Sequence, residues 1–140
     1  MKILITGSNG QLGNELQKII ATGTAEIGSV SHVIKTAEVF AVDVDKLDVS
    51  NLQQVKTILR EVKPDVVINC AAATNVDGCE ANKDLALKIN AIGAKNLAIV
   101  SEEIGAKIVQ VSTDYVFRGV GDTPLNESDI VKSSKCLRKN

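Results

Sequence analysis

Ile3-Leu4-Ile5-Thr6-Gly7-Ser8-Asn9-Gly10-Gln11-Leu12-Gly13 is the stretch that decides the fold. The short apolar run at its start reads as a buried strand from Ile3 to Thr6. Leu12, Leu16, Ile19 and Ile20 then recur at helical spacing, which predicts a helix from about Gln11 to Ala21. The three glycines lie between the two, in a GxxGxxG spacing. Such a pattern is common by chance, but a strand before it and a helix after it are the context its mechanism demands. Gly7 makes the tight turn, Gly10 lets backbone approach a phosphate, and Gly13 lets the helix pack against the sheet. The helix start then offers free N–H groups and a partial positive charge to a pyrophosphate.

Outward from this stretch, strand-like and helix-like segments alternate, which predicts an α/β fold: a doubly wound parallel sheet in three layers, Rossmann-like. Residues Thr22 to Ala37 read as a long loop or frayed helix. Glu38 to Asp43 is the second strand. Ser50 or Asn51 can cap a helix reaching about Glu61, with Leu52, Val55, Ile58 and Leu59 on its buried side. Asp65 to Asn69 is a third, apolar strand, as expected where both faces are covered. A long helix from Lys83 to Ile104 carries Leu85, Ile89, Ile92, Leu97 and Val100 as its core stripe, and Gly105 stops it. Lys107 to Val111 is the fourth strand. From Arg118 the chain turns loop-like, so residues 1–129 read as one nucleotide-binding domain and 130–140 as a divergent, poorly packed tail.

Composition narrows the function. An apolar fraction of 44% and a charged fraction of 24% are those of a globular domain. No apolar run approaches the ~20 residues of a spanning helix, and Met1 to Thr6 lacks the features of a secretory signal. A net charge of −1 gives no basic face for nucleic acid. With Phe40, Tyr115 and Phe117 as the only aromatics, base-stacking platforms are not expected either. Cys70, Cys79 and Cys136 are an odd count without CxxC spacing. That fits free thiols in the cytoplasm better than disulfides or a metal site, so no metal is expected. Cys70, within an apolar run, reads as core.

Asp43, at the end of the second strand, is the candidate for the ribose hydroxyls of a dinucleotide. It lies 30 positions beyond Gly13, more than the usual ~20 after this motif. An insertion at Thr22–Ala37 accounts for the excess. A carboxylate there repels a 2′-phosphate and so mildly favours NADH over NADPH; Asp45 competes for the role.

Further strand-end motifs carry a resemblance. Asn69-Cys70-Ala71-Ala72 follows the third strand, Asn90-Ala91-Ile92-Gly93-Ala94-Lys95-Asn96-Leu97 lies on the long helix, and Val111-Ser112-Thr113-Asp114-Tyr115-Val116-Phe117 follows the fourth strand. Together they resemble the extended short-chain dehydrogenase/reductase superfamily. Within it, Ala72 to Glu80 and the Ser-Thr-Asp-Tyr-Val-Phe run resemble the dTDP-4-dehydrorhamnose reductase family, over residues 1 to about 129. The resemblance implies NADH- or NADPH-dependent reduction of a 4-keto dTDP-sugar.

The resemblance also implies roles for individual residues. Gly7, Gly10, Gln11, Leu12 and Gly13 would hold the pyrophosphate, with Asn9 in the same cofactor loop. Asp48 and Val49 match the pair beside the adenine. Cys70, Ala71 and Ala72 would line the nicotinamide-ribose passage, and Thr74 and Asn90 are assigned to the cofactor side as well. Asn90 reads alternatively as a structural polar residue on its helix. Val76 and Asp77 match a loop approaching the sugar nucleotide. Thr113 matches the catalytic hydroxyl on the substrate carbonyl; Tyr115, two positions later, belongs to a different motif from the catalytic tyrosine.

That tyrosine belongs to a YxxxK pair, which this sequence lacks; the nearest echo, Val131-Lys132-Ser133-Ser134-Lys135, has valine in its place. A phenol near pKa ~10 needs the neighbouring cation to protonate an alkoxide. The sequence therefore reads as an incomplete, truncated or frameshifted form with impaired catalysis. The alternative is a non-catalytic nucleotide-binding or regulatory partner on the same scaffold, as the beta subunit of methionine adenosyltransferase is. An open sheet lacking further strands has an exposed edge, through which homo-oligomers are expected.

Overall fold

The computed structural model describes residues 1–113, 116–117 and 123–129. The expected tail 130–140, with Lys132, Lys135 and Cys136, lies outside the described residues, as do Asp114 and Tyr115.

The elements run β1 (Lys2–Thr6), α1 (Gln11–Thr22), β2 (Thr24–Ala25), β3 (Gly28–Ser29), α2 (His32–Lys35), β4 (Glu38–Val42), α3 (Leu52–Val62), β5 (Val66–Asn69), α4 (Val76–Ala81) and α5 (Lys83–Leu87). A π-helical turn over Lys88–Gly93, α6 (Ala94–Ile104) and β6 (Lys107–Gln110) follow. The main sheet has the order β4-β1-β5-β6 with every neighbour parallel. This is the doubly wound, Rossmann-like α/β arrangement expected from the alternation of elements.

Alternation along β1 divides the core in two. Leu4 joins Val67, Val55, Leu59, Leu97 and Val100, all fully buried between the sheet and the α3–α6 layer. Ile3 and Ile5 point the other way, with Ile20 of α1 and the partly buried Ile34 of α2. Asn51 supplies the α3 cap, its side chain accepting from the Gln53 and Gln54 amides. That resolves the choice between Ser50 and Asn51: the shorter hydroxyl is not needed when the amide reaches two donors.

Two expectations are corrected. Residues Thr22 to Ala37 are neither plain loop nor frayed helix, but a two-residue hairpin (β2 and β3) followed by α2. The turn is reached through Gly23, in the left-handed region at φ 70° and closing α1. The helix expected over Lys83–Ile104 is continuous only because a π turn is set inside it, and its apolar stripe splits there. Leu97 and Val100 are fully buried, whereas Leu85 (49%) and Ile92 (41%) are exposed. A wider turn shifts the register of every residue before it, so a 3.6-residue period cannot serve both halves. Among the described residues, no helix is long and apolar enough to cross a membrane.

Candidate functional site

The parallel strands β1, β4, β5 and β6 all end on one edge, and the loops leaving them gather there, the edge where open α/β sheets hold ligands. Gly7 turns the chain at φ 61°, and a Cβ on it would lie 2.7 Å from the Ala71 nitrogen and 2.8 Å from the Cys70 carbonyl carbon. The β1 and β5 loops touch backbone to backbone, and glycine is required twice over, for conformation and for space. Gly13 abuts its own loop, at the Gly7 carbonyl and Ser8, rather than the sheet. It keeps the turn tight from within. Gly10 is looser, with only the Gly7 carbonyl near, at 3.3 Å.

Gly10 is also the N-cap of α1. No side chain caps that end and no acid lies in its first turn. The first-turn amides of Gln11, Leu12 and Gly13 therefore keep their partial positive charge. Leu12 is 42% exposed, so its side chain flanks this opening instead of filling the core stripe. The arrangement fits a pyrophosphate: an uncapped twelve-residue helix with a glycine turn that a side chain would block.

Asp43 stands beside this loop, its Oδ2 accepting from the Asn9 amide at 2.9 Å and its Oδ1 from the Val44 amide at 2.8 Å. The carboxylate thus ties the β4 end to the glycine loop, and each oxygen retains a lone pair for a hydroxyl. Asp45 is exposed one step farther along. Asp48 accepts from the Ser50 amide at 2.9 Å. Val49 is 5% exposed, within the core. Its side chain meets Gly93, where a Cβ would come within 2.6 Å of Val49 Cγ2. Of the pair assigned to the adenine, Val49 has only backbone to offer.

Beyond β5, Cys70 packs against the Ile3–Ile5–Ile20 cluster, and burial raises its thiol pKa. Ala71 and Ala72 follow, Ala72 exposed. Asn90, carried on the π turn, pairs with Ala73 through two hydrogen bonds of 2.7 and 3.1 Å. Thr74 is exposed beside a small depression of about 300 Å³ lined by Ala73, Asn75, Cys79 and Asn82. Val76 and Asp77 form the exposed first turn of α4, which Asn75 caps through the Gly78 amide. Thr113 is exposed three residues past the end of β6. A larger hollow of about 860 Å³, among Arg60, Lys63, Asp65 and Lys107, lies at the opposite end of the strands. The glycine loop does not border it.

Asn69 and Gln110, at this edge, have no role assigned from the sequence. Asn69 is 1% exposed, and its amide links Thr6, Ala71 and Gln110. The signal was one polar residue closing the apolar run Val66-Val67-Ile68.

The fold and its strand-end loops are those of a Rossmann-type domain. The chain belongs to the RmlD substrate binding domain family, whose model matches residues 1–135. The dTDP-4-dehydrorhamnose reductase of Salmonella typhimurium is 38% identical over 129 residues, covering 92% of this chain and 40% of that enzyme. A solved dTDP-4-dehydrorhamnose reductase from Clostridium acetobutylicum is 51% identical with a TM-score of 0.86, covering 97% of this chain and 44% of the other. The Bacillus anthracis dTDP-4-dehydrorhamnose reductase, solved in complex with NADP, is 42% identical with a TM-score of 0.72, covering 84% and 38%. The chain thus spans about two fifths of the length of the curated relatives it matches.

Proposed function

We propose that this chain is the cofactor-binding part of an NAD(P)H-dependent reductase acting on a 4-keto dTDP-sugar, of the dTDP-4-dehydrorhamnose reductase type. The observation that carries the reading is the uncapped start of α1, joined through Gly7 to the Cys70–Ala71 backbone. One cofactor could lie across both, its pyrophosphate on the helix and its nicotinamide ribose along Cys70–Ala72.

A bound nicotinamide cofactor supplies a hydride. In this reading Gln11, Leu12 and Gly13 hold the pyrophosphate by their amides, and Asp43 accepts from a ribose hydroxyl while fixing Asn9. Asp48 and the Val49 backbone border the adenine. Ala71, Ala72, Thr74 and the Asn90-anchored Ala73 shape the passage. Val76 and Asp77 face the sugar nucleotide, and the Thr113 hydroxyl orients the carbonyl. Asp43 favours NADH by repelling a 2′-phosphate, while the Bacillus anthracis relative was solved with NADP; both forms belong in the test.

The YxxxK pattern does not occur among these 140 residues, so the group that would protonate the alkoxide is not assigned within this stretch. The second reading follows from that observation: a nucleotide-binding or regulatory partner without turnover. Titration with NADH and NADPH, followed by nicotinamide fluorescence, tests the binding both readings require. No saturable change up to millimolar cofactor overturns it. Oxidation of NADPH dependent on dTDP-4-dehydrorhamnose would then decide between them, since turnover by this chain alone excludes the second.

We also propose self-association through β6, the outermost strand among the described residues, on which Val109 is 49% exposed, with Val111 (44%) just beyond its end. Light scattering that reports a monomer at high concentration overturns that assignment. A cytoplasmic setting agrees with Cys70 and Cys79 as free thiols.

A further inference from the structure

Thr6, Asn69 and Gln110 lie side by side across three neighbouring strands, in register from β1 through β5 to β6. Each is the last residue of its strand. Their side chains form a continuous chain of hydrogen bonds. The Thr6 hydroxyl donates to Asn69 Oδ1 at 2.5 Å, and Asn69 Nδ2 donates to Gln110 Oε1 at 2.7 Å. Gln110 Nε2 in turn donates to the Val111 carbonyl at 2.8 Å. Asn69 Oδ1 also accepts from the Ala71 amide at 3.1 Å.

The orientation of the Asn69 amide is the point on which this row turns. Its oxygen must face Thr6 and Ala71, because the Ala71 N–H can only donate. Its nitrogen must then face β6, where Gln110 presents an oxygen because its own nitrogen is committed to Val111. Without that acceptor a buried amide nitrogen would lack a partner, and an unmade buried hydrogen bond costs about 1–3 kcal/mol. Rotating the amide to escape that cost would set its NH₂ against the Ala71 N–H.

We propose that Gln110 is a positioning residue: by fixing the Asn69 amide it holds the Ala71 amide, and so the wall of the nicotinamide-ribose passage, against the glycine turn. The inference rests on the cofactor reading above for the identity of that passage. It links Gln110, on the outermost described strand, to the cofactor wall one strand inward, at the end of β5. The adenosine half of the cofactor lies on the far side of Gly7 and is not held by this row.

The test compares NADPH with ADP, which carries the adenosine and diphosphate but no nicotinamide. In Gln110→Leu, NADPH binding weakens about five- to tenfold, the equivalent of one hydrogen bond, while ADP binding stays within about twofold. Gln110→Glu keeps an acceptor for Asn69 Nδ2 but turns its other carboxylate oxygen toward the Val111 carbonyl, so NADPH binding recovers in part. Unchanged NADPH binding in Gln110→Leu, or equal weakening of both ligands, overturns the proposal. Hydrogen exchange at the Ala71 amide decides the same question without cofactor: faster exchange in Gln110→Leu and partial recovery in Gln110→Glu support it, and unchanged exchange overturns it. If the unaltered chain binds neither ADP nor NADPH, the cofactor reading fails, while the exchange result still settles the role of Gln110.

Discussion

Asn90 grips Ala73 at both of its backbone groups, accepting from its N–H at 2.7 Å and donating to its carbonyl at 3.1 Å, across 17 positions of sequence. An isolated loop residue rarely has both groups satisfied by one side chain. The pair fixes the middle of the Ala71–Thr74 segment, which has no strand or helix of its own. The π turn that carries Asn90 is the kind of helix irregularity found often at functional sites.

Asn90→Ala removes both bonds and is expected to lower stability by about 1–2 kcal/mol, with a larger proportional loss of NADPH affinity than of ADP affinity. Asn90→Asp keeps the bond from the Ala73 N–H but turns a carboxylate oxygen toward the Ala73 carbonyl, so its NADPH affinity should fall between the two. Paired denaturation and fluorescence titrations measure both effects.

Gly7→Ala forces a Cβ into the Cys70–Ala71 backbone and a side chain into a left-handed turn. It should lower stability by more than about 2 kcal/mol, because backbone on both sides cannot yield. Gly10→Ala meets only the Gly7 carbonyl at 3.3 Å and should leave the urea midpoint nearly unchanged, while weakening cofactor binding where the new methyl meets phosphate. Equal midpoints for the two variants would contradict the packing described here.

Asp43→Asn removes a charge while keeping an oxygen for the Asn9 amide. The ratio of NADPH to NADH affinity is expected to rise severalfold, since repulsion of a 2′-phosphate disappears. An unchanged ratio, measured by parallel titrations, would place the ribose elsewhere.

Burial raises the Cys70 thiol above its ordinary value of 9.0. The folded state therefore favours the neutral thiol more than the unfolded state does. That contribution is fully present below the unfolded thiol pKa and is lost as pH rises through the folded one. Denaturation midpoints should fall from pH 8 to pH 10 in the native sequence by more than in Cys70→Ala.

The α3 stripe and the α5 stripe show where sequence patterning is sufficient and where it is not. Val55 and Leu59 were assigned to the core by helical spacing, and both are fully buried. Leu59→Ala should therefore cost about 2–5 kcal/mol. Leu85 carried the same spacing signal, yet it is 49% exposed, and Leu85→Ala should change stability little. Periodicity reports an apolar face, but not which layer meets it, and it assumes an unbroken 3.6-residue turn. The glycine loop was legible because strand, turn and helix are adjacent in the chain. The row Thr6–Asn69–Gln110 was not, because its members are brought together by strand pairing across 63 and 41 positions.

The order β4-β1-β5-β6 also has a consequence for synthesis. The first strand made is an interior strand of the sheet, and neither of its edges can be paired until residues 38–42 and 66–69 have emerged. During that interval Ile3, Leu4 and Ile5, all destined for full burial, stand without partners, and the glycine turn has nothing to lean on. Nonlocal pairing of this kind slows folding. A nascent chain from which residue 66 has not emerged is therefore expected to be prone to association, and one from which residue 74 has emerged to have gained the backbone contact that shapes the glycine turn.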